Sequence, residues 1–92
     1  MSEQSIDVGS VLEERGKRYG KFENHAVISQ QLKAVLTLHA GDNLAPDQRE
    51  ALSMICHKIA RIINGDPDYV DSWVDIAGYA QLVADRLNGN AR

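Results

Sequence analysis

The sequence contains a single cysteine, Cys56, so no internal disulfide can form, and a lone thiol suits a reducing cytosol. No apolar run approaches 18 residues, and the N-terminus lacks the basic segment and apolar stretch of a secretory signal. A net charge of −3 and a pI of about 5.5 create no global field that attracts nucleic acid. These absences predict a cytosolic protein that binds neither membrane nor nucleic acid.

Two further absences concern the fold and its chemistry. β-branched residues do not alternate with polar ones over any stretch of five or more positions, which argues against a β-sheet. No C-x-x-C or H-x-x-x-H pair occurs, so the sequence carries no zinc-ligand signature. No serine or cysteine nucleophile with a neighbouring base can be assembled either. The sequence therefore offers no complete catalytic signature.

What the sequence does contain predicts one all-α domain. Its 92 residues, of which 43% are apolar and 25% charged, suffice for a single modest core. Helical spacing and capping residues predict four helices, at about residues 6–15, 24–39, 46–64 and 67–87. Gly16 is expected to stop the first helix and Gly65 the third, with Pro67 in the first turn of the fourth. The short linker makes the last two helices an antiparallel hairpin, packed by the second helix and the short first one. Residues 1–4 and 90–92 are expected to fray.

Each of the three longer helices carries an apolar stripe that we expect to form the core. Steps of three and four residues place the members of each stripe on one side of their helix. The members are Val27, Ile28, Leu32, Val35, Leu36 and Leu38 in the second helix; Leu52, Ile55, Ile59, Ile62 and Ile63 in the third; and Tyr69, Trp73, Ile76, Ala77, Ala80, Val83, Ala84 and Leu87 in the fourth.

The fourth helix also has a second face, directed away from its apolar stripe. Asp71 and Asp75 lie one turn apart on it, although carboxylates at this spacing repel each other. Gly78 costs about 1 kcal/mol relative to alanine in a helix interior and often marks a close backbone approach. The face is thus a solvated surface, a homodimer contact, or a Mg²⁺ site built on Asp71 and Asp75. The interface candidates are Asp71, Asp75, Gly78, Tyr79, Leu82 and Arg86.

A basic segment, "RGKRYGK" at residues 15–21, is the second candidate site. Two glycines among four cations would let backbone N–H groups approach a phosphate while the side chains neutralise it. The alternative is a helix C-cap followed by a basic turn. In the third helix, Lys58 and Arg61 are expected to face the carboxylates of the fourth, as salt bridges or within one phosphate site. The phosphate-binding candidates are Arg15, Lys17, Arg18, Tyr19, Lys21, Lys58 and Arg61. His25 is interpreted as a capping residue or a surface imidazole.

Three blocks of the sequence carry a resemblance. "LEERGKRYGKFENHA", "QREALSMICHKIARIINGD" and "DSWVDIAGYAQLV" resemble a family of small helical proteins encoded by bacteriophages and prophages. More remotely, the K-x-x-R helix followed by a D-x-x-x-D-x-x-x-Y helix is similar to the all-α nucleotide pyrophosphatases of the MazG-like group. That resemblance implies Mg²⁺ held by two acidic pairs, usually across a dimer-built helical bundle. Asp71 and Asp75 match only the second pair, at a spacing of four rather than three, and Lys58 and Arg61 stand in place of the first.

Three hypotheses for function follow. The first is a small phage-type protein that binds a phosphorylated, nucleotide-like ligand without turnover; neutralising Lys17 and Arg18 together should then abolish binding. The second is a Mg²⁺-dependent nucleotide pyrophosphohydrolase that uses Asp71 and Asp75. The third is a non-enzymatic module that binds a host or phage protein through the exposed face of the last helix. We also expect a homodimer or higher oligomer.

Overall fold

The computed structural model describes residues 7–92, and within them the chain forms four α-helices and no strand. They are α1 (Val8–Tyr19), α2 (Phe22–Ala40), α3 (Pro46–Asn64) and α4 (Val70–Leu87). The predicted all-α class is confirmed, and α3 coincides with its predicted range. The expectation for residues 1–4, and the predicted first residue of α1, Ile6, lie outside the described residues.

α2 starts two residues earlier and ends one residue later than predicted. Two other predicted helix ends were wrong by three residues or more, and local contacts explain both. α1 starts after Asp7, whose side chain accepts N–H bonds from Gly9 and Ser10, but it runs through Gly16 and ends at Gly20. α4 starts three residues later than predicted, because the Asp66 carboxylate accepts the N–H of Asp68 and holds a turn there. Capping chemistry thus acts where it was expected, but at different residues.

The helices are arranged around α3. α2 and α4 pack antiparallel to it on opposite sides and do not touch each other, while α1 contacts the ends of α2 and α3. Ala51 is buried on the side of α4, near Tyr79, and Ala60 is buried about half a turn further round α3. Arg86 forms a bidentate ion pair with Asp47, at 2.6 and 2.8 Å, which joins the end of α4 to the start of α3. The predicted hairpin and its packing are confirmed.

The predicted core is the largest correction. Among residues 7–92 the buried apolar side chains are two alanines, and no large side chain is fully buried. α4 turns Ser72, Ile76, Tyr79 and Val83 towards α3, so two members of its predicted stripe, Ile76 and Val83, meet α3, while most of the others are exposed, with Trp73 at 53%. The exposed members of the predicted core are Val27, Val35, Leu38, Leu52, Ile63, Trp73, Ala77, Ala80, Ala84 and Leu87.

The end of the described chain lies against α4. The Asn90 N–H donates to the carbonyl of Asp85 at 2.7 Å, and Arg92 forms an ion pair with the Asp85 carboxylate at 2.8 Å. A search of the described helices finds none with the length and hydropathy needed to cross a membrane.

Candidate functional site

The α1–α2 turn docks on the end of α3 through two glycines. The amide of Asn64 donates to the carbonyl oxygens of Tyr19 and Lys21, at 2.8 and 2.9 Å. Gly20 has φ +77°, a conformation that favours glycine, and a Cβ there would also meet the Asn64 amide nitrogen at 2.7 Å. A Cβ built at Gly65 would likewise lie too close to the backbone of Tyr19. The sequence therefore fixes this crossing by leaving out two side chains and supplying one amide.

Beside this crossing lies a cavity of about 640 Å³, which we call the α1–α2 cavity. Its lining combines positive charge with aromatic and apolar surface. The lining residues are Leu12, Arg15, Gly16, Tyr19, Gly20, Lys21, Phe22, Glu23, His25 and Arg61. Four of the predicted phosphate-binding residues are thus brought together, namely Arg15, Tyr19, Lys21 and Arg61.

The N-terminus of α2 adds to the positive potential of the cavity. The first helical residues, Phe22 and Glu23, line the cavity, and no side-chain hydrogen bond caps the helix at Lys21. Backbone N–H groups in a first turn have no partner within the helix, and the helix dipole makes that end positive. An uncapped first turn beside lysine and arginine side chains is an arrangement that favours negatively charged groups.

Arg61 is held in place by an aromatic contact. Its guanidinium lies over the ring of Tyr19, 4.1 Å from the centroid. Such cation–π stacking leaves the edges of the guanidinium free to donate hydrogen bonds. Within residues 7–92, none of Arg15, Lys21 and Arg61 forms an ion pair.

The other predicted cations lie elsewhere. Arg18 does not line the cavity; it pairs with Glu14 at 2.8 Å and stacks over Tyr69. Lys17 is exposed and does not line the cavity. Lys58 forms an ion pair with Asp75 of α4 at 2.9 Å. The interpretation of residues 15–21 as a glycine-rich phosphate loop was wrong, because these residues do not form one loop. Gly16 lies inside α1, where its N–H belongs to the helix.

A histidine pair was missed from the sequence. His25, which is 4% exposed, packs against His57 of α3, with 3.3 Å between Nε2 of His25 and Nδ1 of His57. Burial, followed by the positive charge of Arg61, lowers the pKa of His25. Burial, followed by the neighbouring His25 and by Arg61, lowers the pKa of His57 to about 4. The interpretation of His25 as a cap or surface imidazole was therefore wrong. No spacing rule links residues 25 and 57, so only the packing of α2 on α3 reveals the pair.

The candidates on α4 do not share one outward face. Asp75 turns towards α3 and Lys58, and Arg86 towards Asp47. Asp71 is exposed, and its hydrogen bond raises the pKa of the Tyr69 phenol. The six interface candidates are therefore divided between the edge that meets α3 and the solvent.

The surface of α4 at Gly78 and Leu82 is exposed. No atom lies within 4 Å of a Cβ built at Gly78, and Leu82 is 48% exposed. As for metal ligands, the described part of the chain holds no group of three or more histidine, cysteine, aspartate or glutamate side chains.

One family model matches the chain, over residues 8–87, a range that contains all four helices. It is described as a domain of unknown function, DUF6378. No curated protein and no solved structure matches. The chain therefore belongs to the DUF6378 family.

Proposed function

We propose that the α1–α2 cavity binds a phosphorylated, nucleotide-like ligand and does not turn it over. One observation carries the proposal. Three cations, the uncapped N-terminus of α2 and two aromatic rings, those of Tyr19 and Phe22, meet on a single cavity. An anion alone needs no aromatic surface, and an apolar ligand needs no cations.

The parts of a nucleotide match the parts of the cavity. Phosphate oxygens accept hydrogen bonds from the first-turn N–H groups of α2, with Lys21 and Arg15 as counter-charges. The ring of Phe22 is 77% exposed, an unusual state for a phenylalanine, and it offers a base a platform for stacking. A volume of about 640 Å³ falls within the range of small-molecule sites.

The absence of turnover is part of the proposal because of where the carboxylates lie. Glu23 is the carboxylate that lines the cavity, while Asp71 and Asp75 are on α4, and Lys58 holds Asp75. A Mg²⁺-dependent pyrophosphohydrolase of MazG-like type remains the alternative, and release of pyrophosphate would establish it. A module that binds a host or phage protein through α4 is the second alternative.

The setting of this function is also a proposal. The bacteriophage origin and the remote MazG-like relationship rest on the sequence blocks quoted above. Localisation in the host cytoplasm rests on the single cysteine and the composition.

The test is a calorimetric titration with nucleoside phosphates, inorganic phosphate and pyrophosphate, each with and without Mg²⁺. We expect a nucleotide to bind without Mg²⁺. The variant Lys21→Gln should weaken that binding at least tenfold, because a charge-assisted hydrogen bond contributes about 1.5–3 kcal/mol. The matched control, Lys17→Gln, removes the same charge from an exposed site outside the cavity and should change the affinity less than twofold.

A second variant tests the contact with the base of the ligand separately from the contact with its phosphates. Phe22→Ala should weaken the binding of nucleotides but not that of pyrophosphate. Equal loss in Lys21→Gln and Lys17→Gln would show that only the general charge matters and would refute the cavity as the site. Binding that requires Mg²⁺ and ends in pyrophosphate release would replace the proposal by the hydrolase alternative.

A further inference from the structure

The three long helices form a single layer. α3 lies between α2 and α4, which do not touch, so within residues 7–92 each side of the layer is left uncovered except where α1 packs. Domains are normally built from two packed layers, since a helix must bury its apolar stripe against another element. One chain therefore supplies half of such an architecture.

One side of the layer is apolar and free of charge. On α3, Leu52, Ile59 and Ile63 lie about midway, at 100° per residue, between the contacts with α2 and those with α4. The antiparallel neighbours turn their own apolar residues to the same side. We call this side the open face; its members are Ile28, Val35, Leu52, Ile59, Ile63, Trp73, Ala80, Ala84 and Leu87.

The open face exposes several large apolar side chains. Val35 is 59% exposed, Ile63 63% and Leu87 60%, and these residues belong to the stripes that the sequence pattern marks as core. Contiguous apolar surface of this kind indicates an interaction site. The α1–α2 cavity lies on the opposite side, where Arg61 projects about 160° away from Ile63 around α3.

The total exposed area of the chain is also larger than that of a compact monomer of the same mass. The chain exposes 6635 Å², whereas a compact monomer of 10.2 kDa exposes about 5,300 Å². The excess, roughly 1,300 Å², is spread over the whole chain, and the ~800 Å² that each partner buries in a standard interface fits within it. The radius of gyration of 15.8 Å likewise exceeds the ~12 Å of a compact domain of this length.

We infer that the open face packs against the open face of a second copy of this chain, forming a two-layer helical bundle. The occupant is a second copy because the face has no charge that a different partner would have to complement. A two-fold interface brings each patch against itself, and only an uncharged patch is then free of repulsion. The face of α4 with Asp71 fails that condition, since each carboxylate would lie near its symmetry mate.

The first test is the mass in solution, by light scattering after size exclusion at high micromolar concentration. We expect twice 10.2 kDa for the wild type. Ile63→Glu should give the mass of one chain, because it places a carboxylate in the interface. Leu82→Glu is the matched control: it changes a 48% exposed leucine outside the open face and should leave the dimer intact. A wild type of 10.2 kDa, or a dimer lost in Leu82→Glu and kept in Ile63→Glu, would overturn the inference.

A second measurement needs no substitution. Trp73 is the only tryptophan, lies on the open face and is 53% exposed in the single chain. Its fluorescence should be blue-shifted at high concentration and shift to the red on dilution, as the interface opens. Emission typical of a water-exposed indole at every concentration would contradict pairing through this face, whether or not Ile63→Glu folds.

Discussion

Gly65→Ala is expected to lower the free energy of unfolding by about 3 kcal/mol, a change typical of severe overpacking. A Cβ at residue 65 would lie 2.6 Å from the carbonyl carbon of Tyr19, closer than real Cβ atoms approach another atom. The obstacle is backbone, so no side chain can rotate away. In a domain of this size the melting temperature should fall by roughly 15 °C.

Gly78→Ala is the matched control for this experiment. Gly78 lies inside α4 with open space around its Cβ position, so alanine should stabilise the helix by about 1 kcal/mol. The two variants make the same chemical change with opposite expected signs. The measurement is a thermal melt that compares the melting temperature of each variant with that of the wild type. An unchanged melting temperature in Gly65→Ala would mean that the α1–α2 turn does not dock on α3 in solution.

The same crossing explains which helix ends could be predicted. α3 was placed correctly because both of its limits are local signals, Pro46 in its first turn and Gly65 after its last residue. The end of α1 was placed at Gly16 because cations follow a glycine there, as they do at many C-termini. The true end, Gly20, is selected by Asn64, which lies 44 positions further along the chain and binds the turn carbonyls. No local pattern contains that contact.

The helical spacing of the apolar residues was predicted correctly, but the direction in which the stripe of α4 faces was not. The stripe through Trp73 and Leu87 is apolar at helical spacing, yet within one chain it faces solvent. Burial inside a chain and burial between two chains select the same side chains, so a sequence pattern does not tell them apart. What the pattern established is that the stripe is apolar. Within residues 7–92 most of it stays exposed.

Only part of the candidate site could be predicted from the sequence. Lys58 and Arg61 are three residues apart, and they were expected to act together. They point about 60° apart around α3, which sends Lys58 to Asp75 and Arg61 to the ring of Tyr19. Arg15 and Lys21 were found because charge clusters are visible in a sequence. The histidine pair was missed because it joins two helices.

That histidine pair should make the protein sensitive to acid. The pKa of His57 is about 4 in the folded chain, lowered chiefly by burial, against about 6.5 when unfolded. A lowered histidine pKa means that the unfolded chain binds the proton more readily. The stability of the neutral pair is then fully present above about pH 6.5 and is lost as the pH falls from there towards 4. For His57 the loss is at most about 3 kcal/mol, and His25 adds to it in the same direction.

The measurement is a series of thermal melts between pH 7.5 and about 5, a range above the titration of most carboxylates. The pKa of Asp47, for example, is lowered further by its hydrogen bonds with Arg86. We expect the melting temperature of the wild type to fall by roughly 10 °C or more across this range. His57→Gln should be less stable at pH 7.5 but should lose much of the dependence on pH, since it removes the ring whose pKa is lowered to about 4. His39→Gln removes an exposed ring from the same helix as His25 and should keep the full dependence. A pH profile that is flat in the wild type, or unchanged in His57→Gln, would show that the pair is protonated freely and does not control acid stability.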